Sequence, residues 1–406
     1  MLDRALQILR EYPLCDSCLG RLFAQMGYGI ENRERGAAIK TVLHMQLVSS
    51  YKSGVNTLED LRKLAKTHEP TRRFLAKLGV VVGKEPCYIC GGILEDVEKY
   101  AEAVVKALEG LEYESFLVGT VAPRQVLERE AEIVKKFMLT TGESIKHEIN
   151  RRVGREALRL VGSKVDKHRP QVVVNIDIAT GAVFVTRNPL LVEGLYLKLS
   201  RRMSQVKKFG EVKTSLFERL QYIREVFGGV DYVIHAAGRE DVDVRMLGSG
   251  RPVVVEVKQP ARYKAAVPPL VGRDLVFIPK KLTDRAEVRR LKERAKVSIK
   301  LYRALVASDR PVGDLSILST LQGRAVTQLT PRRIKRRSPK SKRTRMVYEM
   351  AWRQITPHVF ELYIRCQGGL YVKEFIHGDG GRTTPSVAEV LNTYLEVLEL
   401  DVLAVE

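Results

Sequence analysis

Charged side chains are unusually dense in one short segment, the sequence GREDVDVR at residues 238–245. The segment lies between two β-rich runs, and loops between strands are where functional side chains concentrate. In an extended chain Asp241 and Asp243 point to the same side, so one carboxylate raises the pKa of the other unless a cation compensates them. The alternative is a solvated charged turn without chemistry. The segment has neither a P-loop lysine nor a dinucleotide-binding glycine pattern, which excludes a phosphate-cradling loop.

Two later motifs place a tyrosine and a lysine in settings that suit chemistry. Tyr302 alternates with apolar residues in KLYRALV at residues 300–306, a predicted strand. Such a tyrosine is usually a core residue, but its ring can also stack on a nucleobase. Lys373 lies in GGLYVKEFIHGD at residues 368–379, where a glycine turn leads into a short predicted helix. It could pair with a carboxylate, or be an ordinary surface lysine with a solvated head.

Four of the five cysteines form two C-x-x-C pairs, Cys15 with Cys18 and Cys87 with Cys90. Two thiolates on one tight turn can bind a metal ion from the same side, and two such turns complete a tetrahedral zinc site. Four thiolates leave no open position on the ion, so we expect one structural zinc rather than a catalytic metal. Redox dithiols or two unrelated pairs are the alternatives. Cys366 is expected to be a small core residue.

Basic segments predict where a polyanion would bind. The run RRIKRRSPKSKRTR at residues 332–345 holds nine basic residues in fourteen positions, and we interpret it as an RNA-binding loop rather than a localisation signal. A second cation-rich loop spans residues 259–270 and includes Arg262 and Lys264. The arginines that we further expect to contact RNA are Arg239, Arg245, Arg332, Arg333, Arg336 and Arg337.

The composition narrows the class of partner. The 406 residues carry 69 Lys and Arg against 48 Asp and Glu, a formal net charge of +21. This excess favours nucleic acid over anionic lipid, since no long basic amphipathic helix is evident. At 45% hydrophobic residues the chain can bury a core, yet no apolar stretch reaches the roughly 18 residues that a membrane-spanning helix needs. The amino terminus lacks a secretory pattern, so we expect a cytoplasmic protein.

The order of the predicted elements suggests three parts. Residues 1–95 are rich in helices, and the two cysteine pairs would close this module. Residues 96–205 predict helices and a strand followed by a hairpin about Thr180-Gly181. Residues 206–406 carry most of the predicted strands, and the motifs at 238–245, 300–306 and 368–379 all fall in this part.

Taken in order, four motifs resemble those of the archaeal and eukaryotic tRNA pseudouridine-54/55 synthase family. They are LCDSCLGR at 14–21, GREDVDVR at 238–245, KLYRALV at 300–306 and GGLYVKEFIHGD at 368–379. The resemblance covers nearly the whole chain. It implies an α+β protein with a helical zinc-binding module (1–95), a THUMP RNA-binding domain (96–205) and a catalytic domain (206–406) built on a mixed, mainly antiparallel sheet.

The resemblance also implies a reaction and the residues that perform it. A uridine at position 54, position 55 or both in the T-arm of tRNA is flipped out, its glycosidic bond is broken, and C5 is joined to C1′ without an organic cofactor. By the motifs, Asp241 is the catalytic carboxylate, Tyr302 stacks on the uracil, and Lys373 pairs with Asp241. Asp243 is expected to be structural, and Arg239 to fill the gap left by the base or to bind phosphate. We expect a monomer whose partner is tRNA and not a membrane.

Two other functions fit parts of the sequence. THUMP domains also occur in thiouridine synthetases and base methyltransferases, but the chain has neither a pyrophosphatase loop nor a glycine-rich methyl-donor site. A non-catalytic, zinc-containing RNA-binding assembly factor would explain the charge and the cysteines equally well. It would not explain why Asp241, Tyr302 and Lys373 occur together.

Overall fold

The computed structural model describes residues 1–162, 164–205, 214–333 and 342–406. These residues form two compact units, Met1–Asn188 and Pro189–Glu406. Buried apolar side chains are found in both units, so each has a core of its own. Within the described residues, no helix combines the length and the apolar character that are needed to cross a membrane.

Helices dominate the first unit. They are α1 (Leu2–Glu11), α2 (Asp16–Leu22), α3 (Asn32–Lys52), α4 (Leu58–Ala65), α5 (Glu69–Lys77), α6 (Val97–Leu108), α7 (Arg124–Lys136) and α8 (Ile145–Val161). Helices α2 and α3 cross at two glycines, and a Cβ atom on Gly20 would lie 1.7 Å from the carbonyl oxygen of Asn32. Only glycine permits so close an approach of two backbones. The crossing holds the first cysteine pair against α3, because Cys15 is the N-cap of α2.

A four-stranded sheet completes the first unit. Its strands are β1 (Ser115–Val121), β2 (Lys164–Val165), β3 (Val172–Asp177) and β4 (Val183–Arg187). The order is β2-β1-β3-β4, with β1 parallel to both neighbours and β4 antiparallel to β3. Alternate residues such as Phe116 and Val174 are buried, and helices α6 and α8 pack against this sheet.

An eleven-stranded sheet is the frame of the second unit. The strands of this unit are β5 (Leu190–Lys198), β6 (Met203–Ser204), β7 (Thr214–Ser215), β8 (Asp231–Ala236), β9 (Val244–Lys258), β10 (Leu270–Val271), β11 (Leu275–Thr283), β12 (Ile299–Ser308), β13 (Arg324–Leu329), β14 (Lys342–Thr356), β15 (Val359–Gln367), β16 (Thr383–Thr384) and β17 (Leu395–Val405). The order is β10-β11-β5-β9-β17-β12-β15-β14-β13-β16, and β8 pairs with β9. Only the β9–β17 pair in this sheet is parallel among the described residues. The expected mixed, mainly antiparallel sheet is therefore confirmed.

Five α-helices accompany this sheet in the part of the chain that the structure describes. They are α9 (Leu216–Arg219), α10 (Gln221–Val226), α11 (Arg285–Val297), α12 (Val372–His377) and α13 (Val387–Leu391). Helix α11 packs on the sheet through Val288 and Leu291, which contact Leu191 and Val254. The loop between β8 and β9 leads into the end of β9 that pairs with β17, since Val244 lies opposite Leu400. This loop and the first two residues of β9 carry the charged motif of residues 238–245.

The structure differs from the sequence predictions at the junction of the two units. Strand β5 pairs with β9 and β11 of the large sheet, whereas residues up to 205 were predicted to belong to the RNA-binding domain. Asn188-Pro189 marks a break between the preceding hairpin and β5, but only the pairing partners of β5 reveal which sheet it joins. The described part of the first unit forms a single compact body. The predicted boundary at residue 95 thus stays a prediction.

Candidate active site and metal site

Two ion pairs hold the acidic residues of the loop between β8 and β9. Asp241 Oδ2 lies 2.7 Å from Arg333 Nη1, and Asp243 Oδ2 lies 2.5 Å from Lys373 Nζ. Arg333 also donates to the buried Glu374, with 2.6 Å between Nε and Oε1. Each acid therefore has a cation of its own.

These pairs correct one expectation. Lys373 was expected beside Asp241, but it binds Asp243, and Arg333 from the basic run takes the place beside Asp241. The guanidinium of Arg333 reaches two carboxylates at once, Asp241 and Glu374, which a single ammonium does less well. Arg333 was predicted only as an RNA contact. Its place in the sequence, 92 positions after Asp241, gave no signal of this pairing.

The pKa of Asp243 is shifted by its surroundings. Partial burial acts to raise its pKa, but the hydrogen bond from Lys373 and the positive charges of Lys373 and Arg333 outweigh burial, and the pKa lies below its ordinary value. Asp243 therefore stays ionised well into the acidic range. This tight pair fits the structural role that was expected for Asp243.

Tyr302 lies on strand β12 and is buried in the core of the second unit. The residue is only 8% exposed, as a core tyrosine would be. Burial raises the pKa of Tyr302, and the negative charges of Glu240 and Asp241 add to the shift. The phenol of Tyr302 is thus neutral at physiological pH, and the charge of Asp241 contributes to its raised pKa. Stacking of its ring on a uracil stays a prediction.

A buried network that the sequence did not reveal lies behind the loop. The side chains of Glu240 and Arg251 are each 1% exposed and form an ion pair of 3.0 Å. Tyr196 donates its hydroxyl to Glu240 Oε1 at 3.0 Å. Arg251 also donates to the backbone oxygen of Ala237. The sequence contains one indication of this network. Arg251 stands directly before the apolar run at residues 252–255, and an arginine in a buried strand needs a buried acidic partner.

The other predicted RNA contacts have varied surroundings. Arg245 donates two hydrogen bonds to Asp401, at 2.8 and 2.9 Å, so its guanidinium is bound within the unit. Arg239, Arg262 and Lys264 are exposed, and Arg262 donates to the backbone oxygen of Glu225 at 3.2 Å. Arg332 is exposed as well, and its backbone N–H donates to Asp379. Arg336 and Arg337 lie outside the described residues. RNA binding by all of these residues stays a prediction.

The four cysteines of the two C-x-x-C pairs meet in the first unit. The sulfur atoms of Cys15, Cys18, Cys87 and Cys90 all lie within 4.8 Å of one another, and those of Cys15 and Cys90 are 3.7 Å apart. Four sulfurs bound about 2.3 Å from one ion would be separated by about 3.8 Å, so the cluster has the size of a metal site. Burial raises the pKa of the Cys18 thiol. Ionised sulfurs at this depth therefore need a cation to compensate them.

Comparisons with known proteins agree with these observations. The family model "Pus10, C-terminal" matches residues 191–406, and "Pus10 THUMP domain, archaeal" matches residues 100–177. Proteins named tRNA pseudouridine synthase Pus10 are similar over their full length. The protein from Pyrobaculum arsenaticum is 63% identical over 409 residues, which is 100% of both chains. The one from Ignisphaera aggregans is 38% identical over 100% of this chain and 99% of its own.

A distant likeness to solved structures adds nothing further. A crystal structure of a Cbf5-Nop10-Gar1 complex covers 52% of this chain and 47% of the other, with 14% identity and a TM-score of 0.29. The family matches and the full-length relatives define the class, a pseudouridine synthase that carries a THUMP domain. The chain belongs to the Pus10 family. It is therefore an enzyme of the isomerase class.

Proposed function

We propose that this protein isomerises uridine to pseudouridine at position 54, position 55 or both in the T-arm of tRNA. Its full-length relatives are named tRNA pseudouridine synthases, and the net charge of +21 suits a polyanionic substrate. The observation that carries the proposal at the residue level is the half-exposed carboxylate of Asp241, which is ion-paired to Arg333 and close to Tyr302.

Asp241 is the group that we assign to the reacting sugar. The target uridine must leave the base stack before its glycosidic bond can be reached. An ionised carboxylate can then attack C1′ or remove the proton from C2′, and both routes break the C1′–N1 bond and release the uracil. The freed uracil turns, and C5 bonds to C1′ while the ester to Asp241 breaks or, on the other route, while a proton returns to C2′. The hydrogen on C5 then leaves as a proton. Arg333 supports either route, because its ion pair with Asp241 orients the carboxylate.

Tyr302 and Lys373 are assigned supporting roles. The neutral phenol ring of Tyr302 offers an apolar face near Asp241, on which a flipped uracil can stack. Lys373 holds the loop through Asp243 rather than touching Asp241. Its effect on the reaction is therefore expected to be positional.

The proposal includes one structural zinc ion in the first unit. Four thiolates of two C-x-x-C pairs are the ligand set that zinc favours in closed, tetrahedral sites. Such a set leaves no position for substrate, so Cys15, Cys18, Cys87 and Cys90 would hold the fold of this unit together. The isomerisation is redox-neutral and needs no organic cofactor. A monomeric state and a cytoplasmic location stay predictions.

Mapping the product tests the choice of substrate. An unmodified tRNA transcript is incubated with the protein, and pseudouridine is located by carbodiimide adduct formation and primer extension. We expect stops at position 54, position 55 or both, and their loss in a transcript with cytidine at both positions. Pseudouridine confined to another arm would overturn the T-arm assignment, and binding without any product would favour the non-catalytic RNA-binding alternative.

A further inference from the structure

A buried lysine on strand β5 contacts the loop that carries Asp241. Lys198 is 0% exposed. Its Nζ atom donates to the backbone oxygens of Asp241 at 2.8 Å, Val242 at 2.9 Å and Met203 at 3.0 Å. An ammonium group has three N–H donors and no acceptor. Each of the three protons of Lys198 thus has a carbonyl oxygen of its own.

Arg201, three residues further along, extends the same contact. Its Nη1 atom donates to the backbone oxygen of Asp243 at 3.1 Å and to that of Leu400 at 2.8 Å. Its Nη2 atom donates to Asp401 Oδ1 at 2.7 Å, which ties the arginine to strand β17. The three consecutive carbonyls of residues 241–243 are therefore all bound by cations from one short segment, residues 198–201.

These contacts replace hydrogen bonds that a regular strand would supply. The loop directs the carbonyls of Asp241 and Val242 toward the buried Lys198 just before β9 begins at Val244, and a carbonyl shielded from water is costly without a donor. The carbonyl of Asp241 also accepts from the N–H of Val244 at 3.2 Å. Charged donors make stronger hydrogen bonds than neutral ones, so they define the path of the loop more tightly. With its carbonyls directed inward to Lys198, the loop presents the Asp241 carboxylate to Arg333 on the outside.

We propose that Lys198 is a positioning residue for the isomerisation, because its three hydrogen bonds fix the backbone from which the Asp241 carboxylate acts. This inference rests on the proposed role of Asp241. Lys198 touches neither substrate nor the reacting atoms. It acts by keeping a carboxylate within the narrow range of positions that attack on a flipped nucleotide allows.

The protonation state of Lys198 gives this role a signature. Burial lowers the pKa of Lys198 to about 8, although Glu240, Asp243 and Asp241 act to raise it, and Arg201 adds to the lowering. A neutral amine has only two N–H donors, so it cannot keep all three hydrogen bonds to Met203, Asp241 and Val242. Lys198 can thus hold the loop fully only as a charged ammonium group. This form is populated below the pKa of Lys198 and is lost as the pH rises through about 8.

The experiment measures pseudouridine formation in a single turnover at saturating enzyme, from pH 6.5 to 9.5, together with the Kd for tRNA. For Lys198→Met we expect the rate at pH 7 to fall by about 100-fold, as misplacement of a reacting group by about 1 Å does, with Kd within about twofold of wild type. The wild-type rate should decline above pH 8. Lys198→Met should show no such decline.

Two further variants separate the sources of these effects. Lys300 is also buried, and burial lowers its pKa to about 8. Lys300→Met is therefore expected to keep the alkaline decline that Lys198→Met loses. Lys280→Met removes an exposed lysine from strand β11 of the same unit and should leave the saturated rate unchanged.

Several results would overturn the inference. One is a folded Lys198→Met protein whose rate lies within about threefold of wild type. Another is a wild-type rate that does not change between pH 7 and 9, which decides the matter even if the variant does not fold. A third is a decline of the rate above pH 8 that disappears in Lys300→Met, because the titrating group would then be Lys300 and not Lys198. Failure of the proposed function is visible separately, because the wild-type protein would then form no pseudouridine at any pH. Failure of the role assigned to Asp241 is visible as turnover that Asp241→Asn retains.

Discussion

At the scale of single residues, the pairing of charges decides which side chain serves which acid. The sequence indicated Asp241, Tyr302 and Lys373, and the structure places all three in the second unit. It could not indicate that Lys373 would bind Asp243 and Arg333 would bind Asp241. Two carboxylates two residues apart offer nearly the same target to a cation. Which cation pairs with which carboxylate is determined by the positions of α12 and of residue 333 in the folded protein.

Replacement of Arg333 tests this assignment. In Arg333→Gln, Asp241 loses its cation and the buried Glu374 loses a charged donor. We expect turnover to fall by about 10- to 100-fold through loss of orientation. The free energy of unfolding should fall by about 1–3 kcal/mol, because a buried carboxylate is left with fewer donors. Single-turnover kinetics and denaturant titration measure the two effects.

The neighbouring arginine is the matched control for that change. The contact of Arg332 with Asp379 is made by its backbone N–H, which Arg332→Gln retains. We expect this variant to weaken tRNA binding without lowering the saturated rate. Equal effects of both substitutions on the saturated rate would contradict a specific role for Arg333.

At the scale of elements, the sequence predicted helices and strands with a clear apolar periodicity. It did not predict those whose conformation depends on their neighbours in the fold. The part predicted to be rich in helices, residues 1–95, contains α1 to α5, and β3 and β4 form the predicted hairpin about Thr180-Gly181. Strand β14 is rich in basic residues, and it is a strand because β13 and β15 pair with it on both sides. Helix α11 was missed although Val288, Leu291 and Ala295 have helical spacing, because its many cations obscure that face.

The cysteine cluster makes a prediction about the first unit. Cys18→Ser removes one of four sulfur ligands, and we expect the zinc content to fall from one equivalent to near zero. Structural zinc contributes on the order of 10 kcal/mol to folding, so the thermal unfolding midpoint of this unit should drop by at least about 10 °C. Elemental analysis and calorimetry provide the measurements. Cys366→Ala, which changes the fifth cysteine, should keep the zinc, and a normal zinc content in Cys18→Ser would contradict the site.

At the scale of the whole molecule, the class of fold and the family could be predicted from the sequence better than the domain boundaries. The sheet of the second unit recruits β5 from before residue 205, because strands pair by position in space and not by order in the chain. Residues 196–201, which hold the loop with Asp241 from behind, consequently lay outside the predicted catalytic domain. No local pattern marks such a contribution.

The excess positive charge predicts a salt-dependent affinity for tRNA. Neutralising two cations of the basic run, in the double variant Arg336→Gln and Arg337→Gln, should reduce the slope of log Kd against log salt by about 1.5. The saturated rate of isomerisation should not change, since these residues are assigned to binding alone. Filter binding at several salt concentrations measures the slope. An unchanged slope would exclude the two arginines from the RNA-binding surface.

The central claim is that Asp241 performs the isomerisation, and release of tritium from tRNA carrying [5-³H]uridine tests it most directly. Formation of the C5 to C1′ bond must expel the hydrogen from C5, so wild type should release tritium. Asp241→Asn should bind tRNA and release none, while Asp243→Asn, a matched change two residues away, should release it at a reduced rate. Release by Asp241→Asn at the wild-type rate, or none by a wild type that binds tRNA tightly, would contradict the account.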